Sequence, residues 1–337
     1  MSTRRLNVCM VGHGMMGEWH SEGLIDDPRC CLHTLVGREP EATPAFARRF
    51  GYRKWTLDLV DALRDPEVEA VILASPSELH EDMALACIEH GKPALVEIPI
   101  AMHLAGAERV VAAARERGLA LGVVHPMRFR PERAEVLTRV RAGEEHVRHT
   151  HGRFFVHRLE NVSAAGHVRL WTDNILWHHT THLIDFGLWL AFGGDMRKVD
   201  AGIRKVSCYM PDVDPQTGIP MEIVLNVETH ADQSIVATGS YYSRERIYDT
   251  LAITNRGSYR LDELRATLTT GAGETRIASE RENAWLTSRD FVAAVLEGRE
   301  PLVPGWSVLP TMRVLQRAQG QWDDIHGKRV LPGRPVA

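Results

Sequence analysis

The first 125 residues alternate short apolar runs with longer segments of helical periodicity, a pattern typical of parallel βαβ units. Strands are predicted at residues 6–11, 32–36, 70–74, 94–97 and 119–124, and helices between them near 15–25, 41–50, 79–90 and 104–117. Residues 70–74 are apolar throughout, as expected for a strand that is covered on both faces. This part of the chain is therefore predicted to be α/β, an N-terminal Rossmann domain with a doubly wound parallel sheet.

The pattern changes after residue 130. A predicted helix at 131–140 is followed by widely spaced strand-like segments at 149–158, 222–229, 235–242 and 248–254. Strongly helical stretches lie at 178–191 and 286–296. This texture predicts a C-terminal α+β domain with a largely antiparallel open sheet. We expect residues 1–127 to form the first domain, and residues 128–337 to form a second one for substrate binding and oligomerisation.

The segment Gly12-His13-Gly14-Met15-Met16-Gly17 fits the G-x-G-x-x-G pattern of a dinucleotide-binding turn. It follows a predicted strand and opens a predicted helix, which is the context that gives this short motif its meaning. The first glycine permits the tight turn, the second lets a pyrophosphate approach the backbone, and the third lets helix and strand pack closely. We expect these six residues to bind a dinucleotide.

The end of the second strand bears on the choice of nicotinamide cofactor. NAD-preferring sites normally place Asp or Glu there, to accept hydrogen bonds from the ribose 2′-hydroxyl. Gly37 occupies that position and Arg38 follows it, so a guanidinium is available for a 2′-phosphate. Glu39 leaves NAD as the alternative. We predict NADP as the cofactor.

The loop Ser75-Pro76-Ser77 follows the most apolar strand, at the edge where ligands of such sheets bind. Ser75 and Pro76 are therefore expected beside the cofactor. A purely structural alternative is a turn in which Ser77 caps the next helix. Both interpretations are compatible with one another.

Composition narrows the classes of partner. The chain has 337 residues, 44% hydrophobic and 25% charged, with a formal net charge of −4, which gives no electrostatic case for nucleic acid or a membrane surface. Its apolar runs are too short to span a bilayer. The five cysteines form no C-x-x-C pair, which favours reduced thiols in a cytoplasmic protein.

Several motifs together resemble the Gfo/Idh/MocA oxidoreductase family over nearly the whole chain. The segments that carry the likeness are Gly12 to Gly17, Ala74-Ser75-Pro76 with His80, Glu97-Ile98-Pro99, Arg128-Phe129-Arg130-Pro131 and His182-Leu183-Ile184-Asp185. The resemblance implies that His80, Glu97 and Ile98 lie at the cofactor edge. It also implies a homodimer or homotetramer.

Two departures narrow the resemblance. Family members usually carry Glu-Lys-Pro with a catalytic lysine, where this chain has Ile98, and many have Asp where it has His178. Further segments are similar to a subgroup that oxidises the cyclic hemiacetal of a carboxylated ring-fission semialdehyde, usually with NADP. They include Val96-Glu97-Ile98-Pro99, Phe154-Phe155, Trp171-Thr172-Asp173 and Leu176-Trp177-His178-His179. The likeness implies a lactone product such as 2-pyrone-4,6-dicarboxylate.

Oxidation of a carbinol requires removal of the hydroxyl proton, and imidazole suits that role near neutral pH. Isoleucine at 98 offers no acid or base. His178 and His182 are four residues apart on a predicted helix and share one face. We predict His182 as the general base, His178 as its partner, and Asp185 as a group that orients an imidazole. Histidines at this spacing also chelate zinc, but no glutamate or cysteine accompanies them, so no metal is expected.

A carboxylated small-molecule substrate needs cationic partners, and the arginine fork suits carboxylates. The candidate substrate-binding residues are Arg128, Arg158, Asn161, Arg169, Trp171 and His179. Two other functions stay open at this point. One is a sugar or polyol dehydrogenase of the same family, which would not need arginines in its pocket. The other is a non-catalytic NADP-binding regulatory protein, which the missing lysine motivates.

Overall fold

The computed structural model describes residues 4–129, 131–162, 168–169 and 174–327. Within these residues the chain divides into two compact units. The first comprises residues 4–126 and 281–306, and the second comprises residues 127–280 and 307–327 as far as they are described. The expected division at residue 127 placed everything after it in the second domain. The structure corrects this expectation for residues 281–306, which belong to the first unit.

The elements up to residue 129 alternate along the chain as the apolar pattern indicates. The strands are β1 (Leu6–Val11), β2 (Cys30–Val36), β3 (Lys54–Thr56), β4 (Ala70–Leu73), β5 (Ala94–Val96) and β6 (Leu121–Val123). The helices are α1 (Met15–Ile25), α2 (Ala42–Phe50), α3 (Leu59–Arg64), α4 (His80–Glu89) and α5 (Leu104–Glu116). The short strand β3 and the helix α3 that follows it were not predicted. Strand β3 has only three residues, and the side chains of this strand are half or fully exposed, so it has no apolar run.

These strands form one parallel sheet in the order β3-β2-β1-β4-β5-β6. This is the strand order of a Rossmann fold, so the predicted doubly wound sheet is confirmed. Strand β4, Ala-Val-Ile-Leu, is completely buried because helices cover both faces of the sheet. Parallel neighbours place their carboxyl ends on one edge, where the turns after β1, β2, β4 and β5 meet.

The remaining elements lie after residue 130. The helices are α6 (Pro131–Arg141), α7 (His179–Ala191), α8 (Val199–Gly202), α9 (Glu280–Glu297) and α10 (Leu309–His326). The strands are β7 (Val147–His157), β8 (Asn161–Val162), β9 (Val168–Arg169), β10 (Ile203–Tyr209), β11 (Glu222–Thr229), β12 (Ser234–Ser240), β13 (Tyr242–Thr254), β14 (Ser258–Asp262), β15 (Thr267–Thr270) and β16 (Gly273–Arg276).

Helix α9 completes the core of the first unit. Phe291 and Val292 are fully buried and join the apolar cluster that Val8, Met10 and Ile72 form around the sheet. Gly23 of α1 allows the close approach, since a Cβ there would lie 2.8 Å from the Cα of Trp285. The amphipathic pattern predicts a helix from residue 286, whereas the observed helix begins at residue 280. The pattern does not indicate which of the two cores the helix joins.

The second unit is built on an eight-stranded sheet in the order β10-β11-β12-β7-β13-β14-β15-β16. Its neighbouring strands are antiparallel except for β12 and β7, which run parallel, so the expected largely antiparallel sheet is confirmed. Strands β11 and β12 alternate buried and more exposed positions, because one face of the sheet is covered and the other is open.

Helix α7 covers the buried face of this sheet at very short range. A Cβ on Gly152 of β7 would lie 2.7 Å from the Cβ of Leu183, and a Cβ on Gly187 would lie 2.4 Å from Ile235 of β12. Glycine at both positions therefore lets helix and sheet approach closely, which fixes the height of α7 above the strands. None of the helices described combines the length and the apolar character that spanning a bilayer requires.

Candidate active site

The turn between β1 and α1 has the geometry of a phosphate-binding loop. Gly12 has a φ of +103°, and a Cβ there would lie 2.3 Å from the carbonyl oxygen of Ala74. A Cβ on Gly17 would lie 2.2 Å from the carbonyl oxygen of Gly12. The first and third glycines are thus required by space. A Cβ on Gly14 would meet no atom within 4 Å among the described residues, so the second glycine leaves open surface where a phosphate can approach.

The turn after β4 lies directly beside the first glycine. Its Ser75 hydroxyl is buried and has no hydrogen-bond partner in the described part of the chain. A buried hydroxyl without a partner is costly, and a bound polar group would satisfy it. The orphaned Ser75 hydroxyl and the open surface at Gly14 both fit a dinucleotide on this edge. Pro76 follows Ser75 in the same turn.

His80 joins two turns of this edge. Its ring nitrogens lie 2.9 Å from the Ser75 carbonyl oxygen and 2.7 Å from the Pro99 carbonyl oxygen, and the side chain is buried. The ring therefore holds the turns after β4 and β5 together. Its partners are backbone carbonyls, and its place beside a cofactor stays a prediction.

Glu97 and Ile98 follow β5. The Glu97 carboxylate lies 2.8 Å from Nε2 of the fully buried His20, whose Nδ1 contacts the Ser288 hydroxyl of α9. This network ties the turn after β5 to α1 and α9 within the first unit. Ile98 is 6% exposed and purely aliphatic, so this turn has no group for proton transfer at the family's lysine position.

The turn after β2 carries the predicted NADP contact. Gly37 is buried, and Arg38 and Glu39 are both exposed. Of the glycine-turn residues, Met15 is 57% exposed while His13 and Met16 are half-buried. The predicted cofactor residues therefore lie in the turns at one edge of the parallel sheet or in the first turns of the helices α1 and α4 that follow them. Their contact with a cofactor stays a prediction.

A buried asparagine positions the start of α7 in the second unit. The Asn174 side chain accepts hydrogen bonds from the backbone N–H groups of Leu176 and Trp177, and its carbonyl oxygen accepts one from His178. Trp177 is fully buried and donates from its ring to Gln319 of α10. The helix consequently begins at His179, with His178 as the residue that precedes it.

The imidazole of His179 is held between two aromatic residues. Its ring stacks on Phe154 of β7, with ring centroids 3.5 Å apart and an interplanar angle of 12°. Its Nδ1 lies 3.1 Å from the Tyr241 hydroxyl. Burial, then the nearby charges of His178 and Arg158, hold the pKa of His179 well below its ordinary value of 6.5. This imidazole is therefore neutral near pH 7.

Arg158 and Asn161 lie next to that ring system. The Arg158 guanidinium donates to the Asn161 side-chain oxygen at 3.0 Å, and its central carbon lies 5.9 Å from the centroid of the Tyr241 ring. The charges that act on His179 also include His182 and Arg246. The start of α7 is therefore surrounded by basic side chains, an environment that favours a bound anion.

Asp185 and Arg128 form a buried ion pair. The guanidinium donates from Nε to the carboxylate at 2.7 Å and also to Ser307, while Thr311 donates to the same carboxylate. Both side chains are nearly inaccessible, at 4% and 1% exposure. The expectation that Arg128 binds a substrate carboxylate is corrected by these contacts, because its nitrogens are already bonded. An orienting role of Asp185 toward an imidazole stays a prediction.

His182 lies in the first turn of α7 and is half-buried, whereas His178 precedes the helix, which corrects the expectation that both histidines lie on one helix face. Its role as general base stays a prediction. Trp171 lies outside the described residues, and of Arg169 only the backbone, in β9, is described. No role is predicted from the sequence for His20, Asn174, Tyr241 or Ser288. Asn174 alone had a local signal, since asparagine favours turns that precede helices.

Residues 6–125 match the oxidoreductase family model with an NAD-binding Rossmann fold, Gfo/Idh/MocA, and residues 131–262 match the C-terminal model of bacterial oxidoreductases. Residues 6–125 are thus a Gfo/Idh/MocA NAD-binding domain, and the chain is an NAD(P)-dependent oxidoreductase. The glycine turn and the turns after β2, β4 and β5 stay the predicted cofactor edge.

Two relatives and one solved structure are similar to this chain. The chain is 28% identical to 4-carboxy-2-hydroxymuconate-6-semialdehyde dehydrogenase of a Sphingobium strain, over 94% of this chain and 98% of that protein. It is 30% identical to scyllo-inositol 2-dehydrogenase (NAD(+)) of Bacillus subtilis, over 42% and 41%. The fold is similar to that of GenD2 from gentamicin A biosynthesis in complex with NAD, with a TM-score of 0.80, 23% identity, and coverage of 96% and 95%.

The three glycines of the turn are expected to respond differently to alanine. Gly14→Ala should leave the free energy of unfolding within about 0.5 kcal/mol of wild type but weaken cofactor binding about tenfold or more, because the added methyl occupies the phosphate approach. Gly17→Ala should destabilise the protein by about 1–3 kcal/mol, because its Cβ meets backbone. Thermal unfolding and cofactor titration measure both. Equal stability of the two variants would contradict the steric assignment.

His179 should make stability depend on pH. Its pKa is lowered by folding, so its stabilising effect is present above its unfolded pKa near 6.5 and is lost as pH falls toward the folded value. His179→Phe keeps a ring for Phe154 to stack on but does not titrate. We expect the stability difference between wild type and this variant to move against wild type from pH 7.5 to pH 5, in urea unfolding. A constant difference would show that the imidazole is not held neutral.

Proposed function

We propose that the protein is an NADP-dependent dehydrogenase of a carboxylated ring-fission semialdehyde, which reacts as its cyclic hemiacetal and leaves as a lactone such as 2-pyrone-4,6-dicarboxylate. The similarity to the Sphingobium semialdehyde dehydrogenase supports this substrate class, because it extends over nearly the full length of both proteins. The Rossmann unit with its open glycine turn supplies a place for the cofactor.

The observation that carries the proposal is the basic environment at the start of α7. Arg158 and His178 act electrostatically on His179, and the Arg158 guanidinium is placed by Asn161 and Tyr241. A guanidinium binds a carboxylate through charge-assisted hydrogen bonds, and an imidazole N–H can donate to the same group. A neutral sugar gains nothing from such charges, whereas a di- or tricarboxylated hemiacetal does.

The oxidation removes a hydride from the hemiacetal carbon and a proton from its hydroxyl, and the carbon–oxygen bond becomes the lactone carbonyl. A bound nicotinamide supplies the acceptor for the hydride. His182 accepts the hydroxyl proton, and His178 hydrogen-bonds the same oxygen or a carboxylate. Neutral His179, held by Phe154 and Tyr241, keeps a second full charge away from Arg158. These histidines take over the proton transfer of the family's lysine, whose position is occupied by Ile98 here.

The preference for NADP follows from the end of β2. Gly37 offers no carboxylate for a ribose 2′-hydroxyl, and exposed Arg38 offers a guanidinium for a 2′-phosphate. A second candidate function is oxidation of a sugar or polyol, favoured by the 30% identity to scyllo-inositol 2-dehydrogenase over 145 residues. The carboxylated substrate is preferred because that match covers under half of each chain.

Turnover tests the substrate class directly. Purified protein with NADP should reduce the cofactor when 4-carboxy-2-hydroxymuconate semialdehyde is added, and the absorbance of reduced nicotinamide measures the rate. Inositols and monosaccharides should give rates lower by about two orders of magnitude or more, because they lack the carboxylates that Arg158 and His178 bind. Preferential oxidation of a polyol would contradict the proposal, and NADP binding without any turnover would favour the regulatory alternative.

His182→Ala tests the assignment of the base. We expect kcat to fall by about 10²–10⁴-fold with little change in the Kd for NADP, because the imidazole acts on the substrate proton rather than on the cofactor. His230→Ala, at an exposed turn of the same unit, is the matched control and should keep wild-type kcat. Wild-type turnover by His182→Ala would remove His182 as the base.

A further inference from the structure

Thr43 packs so closely against Gly37, just after β2, that it leaves no room for a side chain there. Thr43, in the first turn of α2, is completely buried and donates its backbone N–H to the carbonyl oxygen of Glu39. Its hydroxyl lies 3.2 Å from Nε2 of His13 in the glycine turn. A Cβ built on Gly37 would lie 2.1 Å from the Thr43 hydroxyl oxygen and 2.7 Å from its methyl carbon.

These distances exclude a side chain at position 37 while Thr43 is in place. Contacts of Cβ below 3.0 Å essentially never occur, and here both branches of one β-branched side chain are too close. The same Cβ would also lie 2.7 Å from Cδ2 of His13, whose ring packs near Phe46 with centroids 5.9 Å apart. Gly37 does not have a positive φ, so space alone requires glycine there.

The excluded position has a defined chemical meaning. In NAD-preferring Rossmann proteins, an Asp or Glu at the end of this strand accepts hydrogen bonds from the ribose 2′-hydroxyl. The same carboxylate would repel a 2′-phosphate. A residue that keeps position 37 bare therefore acts against NAD and leaves the 2′-phosphate to the guanidinium of Arg38.

We infer that Thr43 is a specificity-determining residue for the nicotinamide cofactor, acting through its contacts with Gly37 and His13. It is a positioning residue: it excludes a carboxylate from the end of β2 and holds the His13 ring against the same turn. The inference rests on the proposed NADP dependence, and it adds that a single acidic substitution at position 37 does not convert this protein to NAD.

A four-variant cycle tests the inference by cofactor binding alone. Wild type, Gly37→Asp, Thr43→Ala and the double variant are titrated with NADPH and NADH, and the quenching of tryptophan fluorescence gives each Kd. We expect Gly37→Asp to weaken both cofactors, because the new side chain displaces Thr43 and His13. The double variant should bind NADH at least tenfold more tightly than Gly37→Asp, because Thr43→Ala creates the space for the carboxylate.

The opposite result is equally clear. If Gly37→Asp alone gains NADH affinity as large as that of the double variant, Thr43 does not restrict position 37 and the inference is overturned. Wild type and Arg38→Ala test the proposed NADP dependence separately. NADP dependence would be refuted if wild type binds NADH more tightly than NADPH and Arg38→Ala loses affinity equally for both. The comparison of Gly37→Asp with the double variant would still decide the role of Thr43.

A milder pair covers the case in which Gly37→Asp fails to fold. Gly37→Ala should lower the melting temperature of the wild-type protein. In the Thr43→Ala background the same substitution should lower it by less, because the clash with Thr43 is gone. Gly257→Ala is the matched control, because a Cβ there meets no described atom within 4 Å, and its melting temperature should equal that of wild type. If Thr43→Ala restores nothing, the steric contact has no consequence and the inference is overturned.

Discussion

Both units depend on backbone that approaches a neighbouring element more closely than any Cβ allows. In the first unit, Gly12 and Gly17 bring the start of α1 against the ends of β1 and β4. In the second, Gly152 and Gly187 bring α7 against the sheet. Interiors are close-packed, so these contacts determine where the functional groups lie. The open surface at Gly14 and the imidazole of His179 are both set by helices seated in this way.

Much of the fold could be predicted from the sequence, because its signals are local. Apolar runs and glycine spacing gave the parallel sheet of the first unit, and alternation gave the antiparallel one. Pairing between distant residues had no such signal: Arg128 and Asp185, 57 positions apart, satisfy one another. Tyr241 likewise has no local signal of its role, because it lies between β12 and β13 and contacts His179 only in the folded protein. The expected homodimer or homotetramer stays a prediction.

The proposed chemistry moves the proton-handling group from the family's lysine position to a group of histidines at the start of α7. Such a group needs charge control, since several cations near one substrate would repel each other. The structure provides it by burying His179 between Phe154 and Tyr241, so that this ring stays neutral. In the first unit, Glu97 pairs with buried His20, which gives its carboxylate a structural partner.

The return of α9 to the first unit has a consequence for synthesis of the chain. A ribosome makes the strands of the parallel sheet early, but Ser288, Phe291 and Val292 are made only after every strand of the eight-stranded sheet has been synthesised. Until then, part of the apolar surface around β1 and β4 lacks its cover, and His20 lacks its serine partner. The nucleotide-binding half is therefore encoded first but cannot complete its core until the strands of the second sheet have been synthesised.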